Sequence, residues 1–349
     1  RKIAQEELNE IINKHKEWLN TRYSSDVKGE RANLVEVDLQ ELDLSYTDLR
    51  AANITRSNMQ GINLRNAHLE EATFLDTDLS NANLESASLN GAKLYFTNII
   101  GSNFNNANLS FAHLYNVDIR GINLYNTNLY GIRLSGIYME NIDLNHMNLS
   151  HANLSRTNFS GANLNEANLS YANLSKANFS NANLNNANLS NANMCETYFS
   201  YADLSYADLS LANLYNASLR NANLSYTNLI ESNLNNASMS YANLSKAFMI
   251  GTDARRARFY EANLLNADLR WSNFDYSEFH GANMSFVNPN YSNMSHSFMI
   301  NTNMSGVNLN NTKLDCSHMI NTNLDGANLS KVDKSKLDAF RDNKGLKDI

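Results

Sequence analysis

The side chains of this 349-residue chain best suited to chemistry fall into sets whose members recur at fixed intervals. Lys93, His113 and Arg133 stand twenty residues apart, as do Tyr95 and Tyr115, with Phe96 adjoining. Cations beside aromatic rings suit an acidic partner or stacked bases. Trp271 and Tyr291 share the same interval, close to Arg255, Arg256, Arg258, Arg270 and Phe286. Exposed Trp and Arg are the residue types that dominate binding hot spots. His296 and Cys316 repeat the interval with His318 nearby, a soft-ligand set that is no metal motif without supporting partners. His146 and His151 form a similar, weaker pair. Residues 32–91 hold ten acids, among them Glu36, Asp38, Glu41, Asp43, Asp48, Glu70 and Glu71, against Arg50, Arg56 and Arg65. Each set can converge only if the chain returns on itself every twenty residues.

The repeat supplies that return. From Leu34 to Leu329 every fifth residue is Leu, Ile, Met or Phe, except at Ala254 and Pro289. Two residues before each stands a mostly small side chain such as Ala52, Ala67 or Thr77, and Asn or Asp usually lies between. On an α-helix five residues advance about 500°, which would spread the large residues over every face. On a straight strand an odd period flips successive pairs to opposite faces. The chain must therefore turn once per repeat. Eleven of the 13 Gly stand at the second residue after the large one, where a strained backbone is easiest for Gly, then Asn and Asp. Phe159, Phe179 and Phe199, and likewise Phe259 and Phe279, share one phase at intervals of twenty, which favours four repeats per coil. A triangular coil would pair Phe259 with Phe274 instead.

These small-[Asn/Asp]-Leu-x-x units closely resemble the pentapeptide repeat family over about 300 residues. The resemblance implies an all-β solenoid, a right-handed quadrilateral β-helix of about 15 coils, on the order of 70 Å long at the usual strand spacing. His15–Leu34 also resembles the lead-in of some bacterial members. Each inward Leu or Phe then buries about 1.5–3 kcal/mol of apolar surface, and each coil depends on its neighbours. Residues 1–31 are expected to hold a helix over 3–19 that caps the open edge with Ile3, Leu8, Ile11, Ile12, Trp18 and Leu19. The repeats fill 32–331. The remainder, 332–349, loses the frame at Lys334, and 335–343 is expected to form a short helix that caps the coil or joins two copies, as C-terminal segments do in some members. Val117, Ile122, Ile132, Ile137, Ile142 and Met147 crowd the small position and mark a seam between more regular halves.

Function is less legible than fold. A net charge of −7 argues against direct nucleic-acid binding and leaves no polybasic patch for a membrane. Cys195 and Cys316 are too few for a disulfide framework. RKIAQEELNEII carries acids where a signal peptide needs an apolar core, and overlapping Asn-Leu-Ser triplets would be over-glycosylated in a secreted eukaryotic protein, so a bacterial cytoplasm is expected. A filled coil with no long loop offers no pocket for catalysis, and no cofactor or metal is expected. Most Thr take the inward position, which leaves no outward array for ice. Two expectations stand. One is a non-enzymatic scaffold that binds a protein partner through its walls, as a monomer or a dimer joined at the C-terminus. The alternative, drawn from family members that regulate DNA gyrase, is an acidic DNA mimic acting on a type II topoisomerase.

Overall fold

The computed structural model describes residues 1–345. The chain winds into a β-solenoid of about 15 turns with parallel strands and one N-terminal helix. Its twenty-residue register is direct. Asn33 lies beside Asn53, Asn53 beside Thr73 and Thr73 beside Lys93, and the same step joins the single bridges elsewhere, such as Asn163 with Asn183 and Asp203 with Asn223, except at the two ends, where Lys2 meets Asp38 and Asn323 meets Lys344. The square coil expected from the Phe spacing is therefore the observed one. The chain divides into two compact units, the first comprising Arg1–Met139 and Met147–Thr157, the second Glu140–His146 and the chain from Asn158 on. The division falls where bulky residues crowd the small position.

In the first unit, helix α1 (Gln5–Thr21) covers the first coil. Ile3 and Leu8 are buried, whereas Ile11, Ile12, Trp18 and Leu19 are only partly covered. The buried member that hydrophobic periodicity missed is His15, whose Nδ1 accepts the Ala32 N–H at 2.9 Å and whose ring stacks on Trp18. Ahead of the helix, the Ile3 N–H donates to the Asp38 carbonyl, so the N-terminal residues also pair with the first coil's edge. Strands β1 (Asn33–Val35), β2 (Asn53–Thr55), β3 (Thr73–Leu75), β4 (Lys93–Tyr95) and β5 (His113–Tyr115) form one wall as a five-stranded parallel sheet.

In the second unit one repeat shows why the sequence selects these residues. Around Leu204 all five backbone donors are used. Asp203 N–H donates to Ala182 O, Leu204 to Asn223 O, Tyr206 to Ser225 O and Ala207 to Leu204 O, at 2.8–3.1 Å. The remaining donor, Ser205 N–H, reaches the Asp203 side chain at 3.0 Å. The Asn/Asp position thus satisfies the one amide that the backbone leaves over. The same Asp203 Oδ1 accepts the Asn223 amide of the next coil at 2.9 Å. At the corners the second residue after the large one takes a left-handed conformation at every repeat but those of Asn311 and Lys331, with φ of 50–64° for non-glycines, and none of these residues is β-branched. That conformation costs a non-glycine about 1–2 kcal/mol, which Gly avoids and Asn or Asp reduce. Inside, Phe159, Phe179 and Phe199 stack at 4.8 and 5.1 Å, and Phe259 on Phe279 at 4.8 Å. Inward Thr hydroxyls are also paired; Thr197, for example, donates to Leu174 O at 3.0 Å.

The C-terminal segment departs from expectation. Lys334–Lys336 form a single 3₁₀ turn, and Ala339–Arg341 are not helical but a strand, β8. It pairs with β7 (His318–Ile320), which pairs with β6 (Phe298–Ile300). Its register is 21 residues, Met319 against Phe340. The 3₁₀ turn takes up one extra residue and the coil continues.

Candidate interaction surfaces

In the first unit the structure assembles the cationic column. Lys93 pairs with His113 across β4 and β5, and His113 with Arg133 by a further bridge. Tyr95 lies beside Tyr115, its hydroxyl 3.4 Å from His113 Nδ1, and Phe96 meets Tyr115 edge to face at 5.4 Å. Burial holds the His113 pKa below its ordinary value, and the charges of Arg133 and Lys93 push it the same way. The column is therefore two cations separated by a neutral ring near pH 7. Beside it Thr55, Arg56, Leu75, Asp76 and Phe96 line a surface depression of about 510 Å³.

The acidic coils of the same unit are partly neutralised. Glu36 pairs with Arg56 at 2.7 Å, Asp48 with Arg50 through two bonds at 2.6 and 2.9 Å, and Glu70 with His68 at 3.4 Å. Burial would raise the Asp48 carboxyl, but the bonds and charge of Arg50 outweigh it and hold it low. Asp43 is held low by the Ser45 N–H and also accepts the Asn63 amide. Asp38 accepts the Gln40 N–H. Glu41 and Glu71 stand at left-handed corners, with no ion pair among the described residues.

In the second unit Trp271 and Tyr291 stack at 4.3 Å with 12° between their planes, yet remain 62% and 56% exposed. Of the nearby arginines, Arg255 is clamped by Asp253 and Arg270 by Asp268, each through two nitrogens, which raises both guanidinium pKa values. These are side chains fixed by a local pair. Arg256 occupies a left-handed corner, and with Arg255, Tyr215, Asn235, Asn236, Asp275 and Tyr276 it lines a depression of about 340 Å³. Arg258 bridges by its backbone to Glu278. Phe286 is exposed and lies over Gly306.

The two exceptions in the core differ in effect. Ala254 leaves the coil in register, since its N–H still donates to Asn273 O at 2.7 Å. Phe274, one coil on, clusters with Phe259 and Phe279 and supplies volume there. Pro289 does shift the backbone. It lacks the N–H with which Leu269 reaches Asn288 O, and the next corner, Tyr291, bonds Asn311 O, a step of twenty where Trp271 to Asn290 is nineteen.

The histidine and thiol sets do not converge on a metal. His296 stacks on Tyr276 and bonds Asp275 Oδ1 at 2.8 Å, while His318 stacks on Phe298. His146 pairs with Glu166, and His151 meets Tyr130 edge to face. Among the described residues no three His, Cys, Asp or Glu side chains are grouped to hold an ion. The Asp338 charge pushes the Cys316 thiol up, and burial does the same at Cys195, so neither is poised as a thiolate.

With coil, corners and ladders in place, the family model for pentapeptide repeats matches in eight copies, residues 32–70, 67–106, 102–141, 142–181, 177–216, 217–253, 255–288 and 290–333. The chain belongs to the pentapeptide repeat family. Solved pentapeptide repeat structures similar to it include HetL, involved in heterocyst differentiation regulation in the cyanobacterium Nostoc. HetL is 29% identical over 64% of this chain and 95% of its own, with a TM-score of 0.24. A pentapeptide repeat protein of the Arabidopsis thaliana thylakoid lumen is 32% identical over 28% of this chain and 68% of its own, with a TM-score of 0.28. QnrB1, a plasmid-mediated fluoroquinolone resistance protein, is 21% identical over 52% of this chain and 85% of its own, with a TM-score of 0.32. Curated proteins include no significant match. These likenesses concern the repeat, not a partner.

Against the pentapeptide pattern, the residues that sequence reasoning overlooked become plain. Phe248 takes an outward Asn/Asp position and is 47% exposed, and Leu211 takes a corner at 54%. Ile230 and Ile250 fill outward positions on the same wall as Phe248, where Ser is common, and are half-buried. The available signal was apolarity at the two outward positions of the repeat. Among the described residues no helix is long and apolar enough to cross a membrane.

Proposed function

We propose that this pentapeptide repeat chain is a non-enzymatic interaction scaffold that docks a protein partner on the second unit, around Trp271. The observation that carries this reading is the exposed Trp271–Tyr291 stack, with Phe248, Leu211, Ile230 and Ile250 interrupting walls otherwise faced by Asn and Ser. An aromatic anchor with apolar side chains exposed on the preceding coils has the composition of a hot spot, whereas the Asn ladders already use their amides on one another. The test is partner capture by Trp271→Ala and Phe248→Asn variants, with Asn188→Ala, in the same wall column as Phe248, as control. Loss of at least about tenfold in the first two and none in the control is expected. Equal capture by all three contradicts the proposal.

The DNA-mimic alternative retains one supporting observation, the ten acids of residues 32–91, of which Glu41 and Glu71 stand at corners. Against it, Arg56, Arg50 and His68 already engage Glu36, Asp48 and Glu70. A gyrase supercoiling assay at two salt concentrations separates the readings. A mimic inhibits, loses inhibition with salt, and loses it again when Glu36, Glu41, Glu70 and Glu71 become Gln.

A further inference from the structure

The corner column that carries Trp271 reads Leu211, Glu231, Gly251, Trp271, Tyr291, one residue per coil. Backbone bonds from Glu231 N–H to Ile250 O, Gly251 N–H to Arg270 O and Trp271 N–H to Asn290 O keep the four-sided register there. Trp271 stacks on Tyr291, on the side away from Gly251, so its other face looks toward a level with no side chain. At some other corners such a gap is closed from the coil before: Phe111 lies over Gly131, Phe286 over Gly306, and the Glu261 carboxylate over Gly281, whereas Gly61 and Gly136 stay open. At Gly251 only the Glu231 Cγ comes near, 3.3 Å from where a Cβ would stand, and neither its carboxylate nor the Trp271 ring fills the space. The result is a slot one coil high, with a glycine floor, an indole face on one side and Glu231 on the other.

Charge decides what the slot suits. Glu231 is exposed and has no ion pair among the described residues. The cation next to it in sequence terms, Arg270, is held by Asp268. A free carboxylate opposite a bare indole face attracts a flat cation through both cation–π and charge-assisted bonding. An acidic or phosphate-bearing ligand meets the wrong sign.

We infer that the Glu231–Gly251–Trp271 slot receives an arginine side chain of the protein partner, its guanidinium stacked on Trp271 and bonded to Glu231. The inference deepens the docking reading above and rests on it. The apolar rim of Phe248, Ile230 and Ile250 then flanks the arginine with aliphatic contact, which specifies an arginine set among apolar residues.

The test uses the full chain with Trp18→Phe, so that Trp271 is the sole indole, titrated with the peptide acetyl-Leu-Arg-Leu-amide. A saturable change in Trp271 fluorescence is expected, weakened roughly tenfold by Glu231→Gln. Gly251→Asn, which the left-handed corner tolerates, fills the slot and abolishes it. The Lys and citrulline analogues of the peptide are expected to bind more weakly. No saturation, or equal binding by the citrulline peptide, overturns the arginine assignment. Partner capture tells the two failures apart. Capture lost in Phe248→Asn but unaffected by Glu231→Gln keeps the docking surface and removes the arginine; capture retained in both removes the surface itself.

Discussion

The outward Asn/Asp columns carry an electrostatic rule that one substitution tests. On one wall of the first unit Asp38, Asn58, Asp78, Asn98 and Asp118 follow one another coil by coil, each bridged to the next, so that every carboxylate is separated from the next by an amide. Where the amide is seen to act, Asn98 donates to Asp78 at 3.1 Å. Asn58→Asp would place three carboxylates in a row about 4.8 Å apart, flanked by Asp38 and Asp78, neither of which has an ion pair among the described residues. The change is nearly isosteric and keeps the side-chain oxygen that accepts Gln60 N–H at 3.2 Å. Two like charges at this spacing repel by roughly 1 kcal/mol each in water and several at lower effective dielectric. Surface screening brings the expected total to about 2 kcal/mol. Because the repulsion raises the folded-state carboxyl pKa values, the loss is present at neutral pH and disappears as pH falls through about 4. Urea melts of wild type, Asn58→Asp and Asn58→Ala at pH 7 and near pH 3.5, with and without 0.5 M salt (about one-half molar), read this out. An Asn58→Asp protein as stable as wild type at pH 7, or a deficit insensitive to both salt and acid, refutes the rule.

Other consequences are testable in the same way. Burial lowers the His15 pKa against the opposing pull of Asp48 and the Arg50 backbone, so the unfolded cap takes up a proton more readily than the folded one. Stability of α1 is therefore full above about pH 6.5 and falls as pH drops below it, seen as faster amide exchange in Gln5–Thr21; His15→Leu should remove that step. Phe179→Ala, between two stacked rings, should cost about 3–5 kcal/mol in chemical denaturation, while Phe179→Leu, the commonest residue of the frame, should cost under about 1.5. Pro289→Leu restores a ladder donor and should raise the unfolding free energy from denaturant melts by about 1 kcal/mol; a fall would show that the shifted corner at Tyr291 is better packed than a regular one.

Much of the fold was legible because its rule is local and repeated. Phe159, Phe179 and Phe199 reported the coil length, since like rings stack on like, and the eleven in-phase Gly reported the left-handed corner. Single exceptions to the repeat were harder to read. One extra residue near Lys334 hid Phe340 from its partner Met319 and made a strand resemble a helix. His15 was missed because a polar residue on an otherwise apolar helix face reads as exposed; its burial depends on the Ala32 N–H, a group from another segment. Ala254 breaks the large-residue rule, yet its coil stays in register with Phe274 of the next coil clustered against Phe259, an arrangement that crosses twenty residues of sequence. The candidate surface was half legible: Trp271 and Tyr291 were found by type and spacing, whereas Phe248, Leu211, Ile230 and Ile250 carry no chemistry and signify only by breaking the polar rule of their positions.

The docking claim is tested most directly by a photo-crosslinking residue placed at Phe248 in one protein and at Asn188, three coils earlier in the same column, in another. The account predicts one dominant protein adduct from position 248, suppressed by Trp271→Ala, and none above background from position 188. The same adducts from both positions, or an adduct at 248 indifferent to Trp271, would contradict it.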